Sequence, residues 1–569
     1  MEARFTYADK LPATVRFRIR MKFRLREMPT STSRTTRFGP RPIAALLALQ
    51  LGLLAVVLAS TPFKQFDLDR FFVPKELALH VAAFLAVVFC LNRLRNVSLD
   101  RVDYFLIAFA LLSLVSALLA SNRWLSMRSV AVTLSGLATF WCARSLARAG
   151  LKRPLVAAIV LATVVGAATS LVQAYGVESE YFTLSRAPGG TFGNRNFVAH
   201  VAAIGAPLLI WYAVSAKRNI AVVLCAIGGA VLAAALVLSR SRAAWLALLV
   251  TALLLAIPAW RAARRVPYAN TSRRLLFMGA VAVAGVIIAL VLPNDLNWKS
   301  DSPYLDSVRG VVAYNSGSGR GRLIQYRNTL HMAEAHPILG VGPGNWPVYY
   351  PKFATHNDPS LSHNDGTTAN PWPSSDWATL ISERGTIAVV ILLLAFLGMI
   401  ANAFQSTRGS SANNPGARDP FLPVAVTATI LITGAVGAFD AVLILAAPTF
   451  IVWAALGATA APGRPRTEWS PSPSRSRLLA VAAAAVLFIF SVRSAGAIMA
   501  MQTFGSGQRL SSVQRSSMLD PGSYRIQLRL AILALNSHGC TMARPYAQRA
   551  AGMLPSAGAP RRLLERCGS

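Results

Sequence analysis

Long apolar runs recur along this chain, each close to the roughly 20 residues that a helix needs to cross a bilayer. Backbone groups in lipid must find their hydrogen bonds within the segment itself, so such runs fold as helices. The pattern predicts an all-α fold, a polytopic integral membrane helical bundle of about 12–13 transmembrane helices. The runs are Ile43–Ser60, Pro74–Leu91, Tyr104–Ala120, Ser129–Leu146, Leu155–Tyr175, Phe197–Val214, Ile220–Leu238, Ala243–Trp260, Leu275–Leu292, Ile387–Ala403, Phe421–Phe439, Ala441–Ala458 and Leu478–Ser494.

One polar segment is far longer than the connections between the other runs. Residues 293–378 separate the ninth run from the tenth and are rich in Gly, Pro, Arg, Trp, Asn and His. A bundle needs only short connections, whereas long loops that carry such residues are typical of lids and binding sites. We therefore expect this segment to be an active-site loop.

Composition agrees with a membrane protein, because 54% of the 569 residues are hydrophobic and only 14% are charged. The net charge of +34 would suit a nucleic-acid-binding protein, but the basic residues cluster in alternate loops, as cytoplasmic loops do. We expect the lipid bilayer and no nucleic acid as a partner. The resulting topology places the N-terminus in the cytoplasm, and the long loop and the C-terminal tail in the periplasm of a bacterium. The clusters are Arg93, Arg95 and Arg101; Arg144, Arg148, Lys152 and Arg153; Lys217 and Arg218; Arg261, Arg264, Arg265, Arg273 and Arg274; and Arg464, Arg466, Arg475 and Arg477.

Seven segments follow from these patterns. The basic residues before the first run either touch anionic lipid or precede the true start at Met21 or Met28. We expect no cleavable signal peptide and a first helix that acts as a signal anchor. The segments are a basic N-terminal segment (1–41), a first bundle of about nine helices (42–292), the periplasmic loop (293–378), further transmembrane helices (379–459), a cytoplasmic linker rich in Pro, Ser and Arg (460–476), a final transmembrane helix (477–495) and a periplasmic tail (496–569).

The tail has the spacing of a helical repeat. Pro521 and Pro555 are one 34-residue tetratricopeptide period apart, and a break at His538-Gly539 separates two helical patterns. Such a unit either packs on its neighbour or binds a protein partner. The apolar positions of the two patterns are Leu530, Ala531 and Ala534, then Ala543, Ala547 and Ala550.

Cysteine and histidine spacing predicts no metal site and no cofactor, because the chain has no CxxC or HxxxH pattern. Cys540 and Cys567 both lie in the predicted external tail, where an oxidising compartment would allow them to pair. The other three cysteines, Cys90, Cys142 and Cys225, fall in or at membrane helices as packing residues.

Candidate anion-binding residues begin with Arg240 and Arg242, which lie at a predicted external helix boundary, against the positive-inside pattern. They could snorkel to lipid headgroups, but two arginines between hydroxyl residues favour phosphate, whose oxygens a guanidinium binds in pairs. Arg322, in a Gly-flanked loop, is the third member of this predicted diphosphate clamp.

Three local patterns surround these arginines. The Gly-rich stretch Gly190–Asn196 precedes a helix that Asn196 is placed to cap, with His200 one turn in as a bundle residue. Arg322–Ala335 predicts an amphipathic helix. Glycines at 340, 342 and 344 allow a tight turn close to the membrane surface. The side chains expected to face inward from the amphipathic helix are Leu323, Tyr326, Leu330 and Ala333.

These motifs together resemble the O-antigen ligase and polymerase (Wzy-type) superfamily over about Ile43–Ala458. The resemblance implies a metal-independent transferase that takes a glycan from an undecaprenyl-diphosphate-linked donor to a glycan, lipid or protein acceptor. It depends on the order of motifs and on the largest loop lying between the ninth and tenth helices. The motifs are Gly190–Asn196, Ser239-Arg240-Ser241-Arg242-Ala243, Gly321-Arg322, His336–Trp346, Asp376-Trp377 and Glu383-Arg384-Gly385.

One departure from the family concerns its catalytic histidine. Members carry a His-Asn-Asp-Tyr type motif where this chain has Ser374-Ser375-Asp376-Trp377. Asp376 is our first candidate for the base and His363 the second. Glu383 and His336 follow them. We expect Asn194, Asn196, His336, Asn345 and Trp346 to be substrate-loop residues.

Three functions remain open from the sequence. A ligase and a repeat-unit polymerase would use the same arginines. A transporter or structural membrane protein would need paired charges at membrane depth. Glu76 and His80, one turn apart, are the one sign of the last alternative.

Overall fold

Apolar helices make up most of the computed structural model, which describes part of the chain. The predicted segments can be compared with the structure only in that part, and most of the predicted basic N-terminal segment lies outside it. The described residues are 39–90, 97–183, 185–265, 271–298, 300–310, 317–355, 357–362, 365–408, 419–461, 463, 467–469, 472–507 and 509–568.

The helices of the described part follow the predicted order. They are α1 (Pro40–Leu58), α2 (Asp69–Cys90), α3 (Arg101–Leu118), α4 (Arg123–Leu146), α5 (Lys152–Ala174), α6 (Arg195–Val214), α7 (Asn219–Ser239), α8 (Arg242–Arg265), α9 (Thr271–Val291), α10 (Pro303–Arg309), α11 (Gly317–Ala335), α12 (Trp346–Tyr349), α13 (Asp376–Arg384), α14 (Thr386–Arg408), α15 (Leu422–Gly437), α16 (Ala446–Thr459), α17 (Pro473–Ser506), α18 (Leu510–Leu519), α19 (Tyr524–Met553) and α20 (Gly558–Arg566). Two short strands, β1 (Val97–Leu99) and β2 (Thr467–Trp469), complete the list.

The predicted polytopic membrane bundle is confirmed. Within the described residues, ten helical stretches are long and apolar enough to span a bilayer. One of them, Arg123–Ala174, contains both α4 and α5, which a turn at Gly150 with φ 89° separates. The shorter apolar helices α15 and α16 add two more. Each predicted run therefore coincides with a helix, although the run beginning at Ala441 starts in a loop.

The centre of the bundle is α16, whose residues are all buried. Small residues allow its neighbours to approach closely, as they do in membrane helix packing. A side chain at Gly457 would lie 2.3 Å from the carbonyl oxygen of Phe140, and one at Gly136 would lie 2.6 Å from Trp453. By contrast, α8 and α9 bury few residues and present apolar side chains outward, as lipid-facing helices do.

The two ends of the bundle are formed by different connections between helices. At one end, β1 pairs with β2 in antiparallel register, which joins the α2–α3 connection to the α16–α17 connection. At the other end, the Asn122 side chain donates to the Met553 carbonyl oxygen at 3.2 Å, and Gly558 N–H donates to the Asp365 carbonyl oxygen at 2.8 Å. The long loop and the tail therefore lie at the same end, which we call the loop end. The predicted topology, in which basic loops alternate with external ones, requires the long loop and the tail to lie at the same end.

The long loop folds into helices, but the predicted inner face of α11 is partly wrong. Leu323 and Leu330 are 48% and 47% exposed. Tyr326 is half-buried, and Ala333 is buried as predicted. The helix has turned towards its polar side because the loop core offers hydrogen bonds: Gln325 donates to Ser360, and Thr329 accepts from the Trp346 indole. Met332, next to Ala333 on the same helix, is also buried.

The tail consists of α18, α19 and α20, and it begins later than predicted because α17 continues to Ser506. Gly539, at φ 73°, breaks α19 at the predicted position. A disulfide joins Cys540 to Cys567. The resemblance to tetratricopeptide repeats stays a prediction. The apolar positions predicted to pack, Leu530, Ala531, Ala534, Ala543, Ala547 and Ala550, are all buried.

Candidate functional site

The site begins at the junction of α7 and α8, where the chain turns through Arg240 at φ 53°, a conformation that costs energy for a residue with a side chain. The turn brings its Nε within 2.8 Å of Ser307 Oγ on α10. Its guanidinium also lies 4.5 Å from the centre of the Trp298 ring. The long loop therefore holds this arginine from two sides.

The other arginines of the site approach from different elements. Arg195, at the start of α6, lies over the same Trp298 ring at 5.1 Å. Arg242 donates to the carbonyl oxygen of Gly310 and interacts electrostatically with Arg322 of α11. Arg195 in turn feels the charges of Arg240 and Arg242. The structure thus brings the three predicted arginines together and adds Arg195, which sequence analysis quoted only as part of a Gly-rich stretch.

Positive charge exceeds negative charge in this cluster. Burial lowers the pKa of Arg240, with a further decrease from Arg242, while Tyr304 and Asp306 act in the opposite direction. Like charges held this close repel each other unless an anion lies between them. We call Arg195, Arg240, Arg242 and Arg322 the arginine cluster.

A carboxylate that sequence analysis did not consider lies beside the cluster. Asp440 is in the turn between α15 and α16 and is 8% exposed. Its Oδ1 accepts from the Ala441 N–H at 2.9 Å, and its Oδ2 lies 3.4 Å from Asn196 Nδ2. It was missed because apolar runs flank it on both sides. An acidic residue at the junction of two apolar runs is the signal that could have identified it.

His200 lies one turn deeper on α6, on the same face as Asn196. It is 1% exposed, and neither ring nitrogen has a hydrogen-bond partner. Asp440 and Arg322 are its electrostatic neighbours. His200 is thus a buried bundle residue that packs edge-on against the Phe197 ring at 6.3 Å, but no hydrogen-bonding group of the described residues reaches its ring nitrogens.

Asp376, the first predicted base, is fully buried and already occupied. Its carboxylate accepts from the backbone N–H groups of Val442 at 3.0 Å and Leu443 at 2.8 Å. Its own N–H donates to the Asp440 carbonyl oxygen at 3.2 Å. Burial raises the pKa of Asp376 to about 7 even though these hydrogen bonds act to lower it. Asp376 therefore stabilises the α15–α16 turn through these hydrogen bonds.

Glu383 has a similar structural position. It accepts from the backbone N–H groups of Gly344 at 2.7 Å and Trp346 at 3.0 Å, and burial raises its pKa to about 7. Within the described residues, Glu383 and Arg384 interact electrostatically without forming a salt bridge. The guanidinium of Arg384 instead donates to the hydroxyls of Ser113, Ser129 and Thr133. This pair fastens the long loop to α3 and α4.

The predicted substrate-loop residues divide into two groups. Asn345 and Trp346 are fully buried: the Asn345 amide joins the α3–α4 connection, and the Trp346 ring stacks 4.3 Å from Tyr350. Asn194, rather than Asn196, caps α6, because its Oδ1 accepts from the Asn196 N–H. The cap position leaves the Asn196 amide free to reach Asp440.

Two further predicted residues lie away from the cluster or outside the described part. His336 follows α11 and packs edge-on against the Tyr349 ring at 5.7 Å. His363 lies outside the described residues. Tyr326 connects the long loop to the α15–α16 turn, because its hydroxyl donates to Ser374 or Ala438 carbonyl oxygens. Burial raises its pKa to about 12.

Metal ligands were also considered. Among the described residues, no group of three or more His, Cys, Asp or Glu side chains is arranged to hold a metal ion.

Comparison with known families gives a match over part of this chain. Residues 227–394 match the family described as O-antigen ligase. This part of the chain is therefore an O-antigen ligase domain. The match contains Arg240, Arg242, Arg322, Asp376 and Glu383, whereas Arg195, His200 and Asp440 lie outside it. No curated protein matches this chain.

Proposed function

We propose that this protein is a glycosyltransferase of the O-antigen ligase type, which moves a glycan from a polyprenyl diphosphate to an acceptor at the loop end of the bundle. The observation that carries the proposal is the arginine cluster: Arg195 and Arg240 lie over Trp298, and Arg242 interacts electrostatically with Arg195 and with Arg322 of α11. The O-antigen ligase domain gives the same class of activity.

The chemistry that the cluster supports is stabilisation of a leaving diphosphate. Charge accumulates on the phosphate oxygens as the glycosidic bond breaks, and guanidinium groups already in position stabilise that charge. Arg240 and Arg242 are fixed by Ser307 and Gly310 before any donor binds. A single displacement would invert the anomeric centre. We propose that no step requires a metal, because the four arginines of the cluster can neutralise the leaving group.

Lipid access is part of the proposal. The cluster lies at the first turn of α8, and α8 and α9 below it carry apolar side chains exposed to the bilayer. An undecaprenyl chain could lie along these faces while its diphosphate reaches Arg242. We place the loop end in the periplasm and the protein in the bacterial inner membrane, because the basic loops belong to the opposite end. The exposed residues are Leu249, Leu253, Leu254 and Ile257 on α8, and Leu276, Val283, Ile287 and Ile288 on α9.

The test uses purified protein in nanodiscs with an undecaprenyl-diphosphate-linked oligosaccharide. Replacing Arg240, Arg242 or Arg322 by Gln should lower transfer about 10²-fold or more and weaken binding of undecaprenyl diphosphate, because charge-assisted contacts to phosphate are lost. Arg327→Gln, an exposed position on the same helix as Arg322, is the matched control and should retain activity. Unchanged transfer in all three variants would contradict the proposal.

Product analysis decides between a ligase and the alternative, a Wzy-type polymerase. Cells that lack a ligase should accumulate lipid-linked polymer that is not attached to its acceptor, whereas cells that lack a polymerase should contain single repeat units. Glu76 and His80, which suggested the transporter alternative, do not pair with each other in the described residues: Glu76 pairs with Arg128 at 2.8 Å, and His80 bonds to Ser135 at 2.8 Å. We also propose that the tail binds a partner protein. The product analysis does not depend on this proposal.

A further inference from the structure

We propose that Asp440 accepts the proton of the acceptor hydroxyl and that His200 binds the acceptor beside it; this inference rests on the proposed transferase function. Neither residue belongs to a predicted motif, and both lie outside the matched family domain. Two features of the described residues support both roles: a carboxylate at the edge of the arginine cluster and a buried imidazole without hydrogen bonds.

Asp440 is better placed than Asp376 to act as a base. Both oxygens of Asp376 already accept from Val442 or Leu443, and the residue has no exposed surface. Asp440 retains some exposure and has only one short backbone contact, on Oδ1. Its Oδ2 has a long contact of 3.4 Å to Asn196, so this oxygen has lone-pair capacity for a further donor.

The position of Asp440 relative to the arginine cluster suits a displacement reaction. Two groups, His200 and Tyr326, each interact electrostatically with both Asp440 and Arg322. Asp440 and Arg322 therefore flank one region, in which a diphosphate on the arginine side leaves room for an acceptor on the carboxylate side. Asp376 acts as a positioning residue, because its N–H holds the Asp440 carbonyl and its carboxylate holds the next two N–H groups.

His200 gives the second contact. A buried polar group without a hydrogen-bond partner destabilises the folded state, so such groups in a folded protein call for an explanation. The ring lies one helical turn below Asn196, which itself contacts Asp440. An acceptor hydroxyl that displaces the long contact between Asn196 and Asp440 would supply the hydrogen bond that the imidazole lacks.

The reaction balances with these residues alone. The acceptor oxygen forms a bond to the anomeric carbon, and its proton moves to Asp440. The bond between the anomeric carbon and the phosphate oxygen breaks, and its electron pair stays on the diphosphate beside the arginine cluster. Asp440 later returns the proton to water at the loop end.

The test separates chemistry from binding by comparing the wild-type protein with three variants and one control variant. Asp440→Asn keeps the size of the side chain and should lower kcat roughly 10²-fold or more, as loss of a general base does, with the Kd for undecaprenyl diphosphate unchanged. Asp440→Glu should recover part of the rate. His200→Ala should raise the acceptor KM about tenfold, with a smaller effect on kcat. Asp301→Asn, an exposed carboxylate of the long loop, is the control.

Each contrary outcome has a distinct meaning. Full turnover of Asp440→Asn in a preparation whose wild type transfers glycan would overturn the role of Asp440 alone. Loss of donor binding together with turnover would also overturn it, because the residue would then be structural. An unchanged acceptor KM in His200→Ala would overturn the role of His200. A wild-type protein that neither binds undecaprenyl diphosphate nor transfers glycan would overturn the proposed function, and with it both roles.

Discussion

At the scale of single residues, the carboxylates Asp376, Glu383 and Asp440 have different roles. Asp376 and Glu383 are buried and saturated with backbone N–H donors, so they hold turns in place. Asp440 borders the arginine cluster with one oxygen in only a long contact. Sequence analysis selected the first two by their place in a motif. Hydrogen-bond saturation depends on which backbone groups fold against a side chain, and a motif does not contain that information.

The arginines were easier to identify from the sequence than the proposed base, Asp440. A charge at the external end of an apolar run is costly unless it has a function, so Arg240 and Arg242 were identifiable without a structure. Arg195 and Asp440 sit just outside apolar runs as well, but each is a single charge at a helix end. Their proximity depends on α6 packing against α15, a contact between distant parts of the chain.

Burial of Glu383 and Asp376 predicts how the stability of the protein changes with pH. Both carboxyls have a folded-state pKa of about 7, above the ordinary values of 4.5 and 3.8. Between about pH 4 and 7 the folded state binds more protons than the unfolded state, so the contribution of these groups to stability falls as pH rises. Thermal unfolding in detergent should therefore show a lower Tm at pH 7 than at pH 5 from this contribution.

The variant Glu383→Gln isolates that contribution. It cannot lose a proton, so the decrease in Tm between pH 5 and pH 7 should be smaller than in the wild type, whatever its Tm at either pH. Glu334→Gln, an exposed position on α11, should keep the wild-type slope. Equal slopes for all three proteins would show that Glu383 is ionised in the folded state at pH 5.

At the scale of elements, the tail and the long loop are held together by one carboxylate. Asp365 accepts from the N–H of Ala559 at the start of α20 and from the Tyr524 hydroxyl at 3.0 Å. Its carbonyl oxygen accepts from the Gly558 N–H. The helical periodicity of the tail was predictable from sequence, because small residues repeat on one face. The docking was not, since it joins residues almost two hundred positions apart in the sequence.

Removal of that carboxylate should release the tail from the loop. Asp365→Ala leaves α20 without its capping acceptor, and loss of such a cap typically costs about 0.5–2 kcal/mol. Amide hydrogen exchange should increase at Gly558–Arg566 and in the adjoining part of the long loop, while exchange in α16 stays slow. Tyr524→Phe removes one of the three contacts and should have a smaller effect. Exchange rates equal to those of the wild type would mean that other contacts hold the tail.

At the scale of the whole molecule, all parts of the site come from one end of the bundle. The α5–α6, α7–α8 and α15–α16 connections and the long loop meet there, and the strands β1 and β2 pair at the other end. Counting apolar runs was enough to predict this division, because each run reverses the direction of the chain. The sequence could not show which loops meet within one end, since that depends on how the helices are arranged around α16.

The topology gives the last prediction. With the loop end outside, reporters fused after Ser302 and Ser556 should both be active when they require the periplasm, because the structure places the long loop and the tail at the same end. A reporter fused after Lys217, in a basic connection at the other end, should be active only as a cytoplasmic reporter. Arg153 of α5 donates to the Ser215 carbonyl oxygen at 2.8 Å, which places that connection beside another basic loop. Signals of opposite type at Ser302 and Ser556 would contradict the fold, whereas a reversal of all three signals would keep the fold and move the arginine cluster to the cytoplasm.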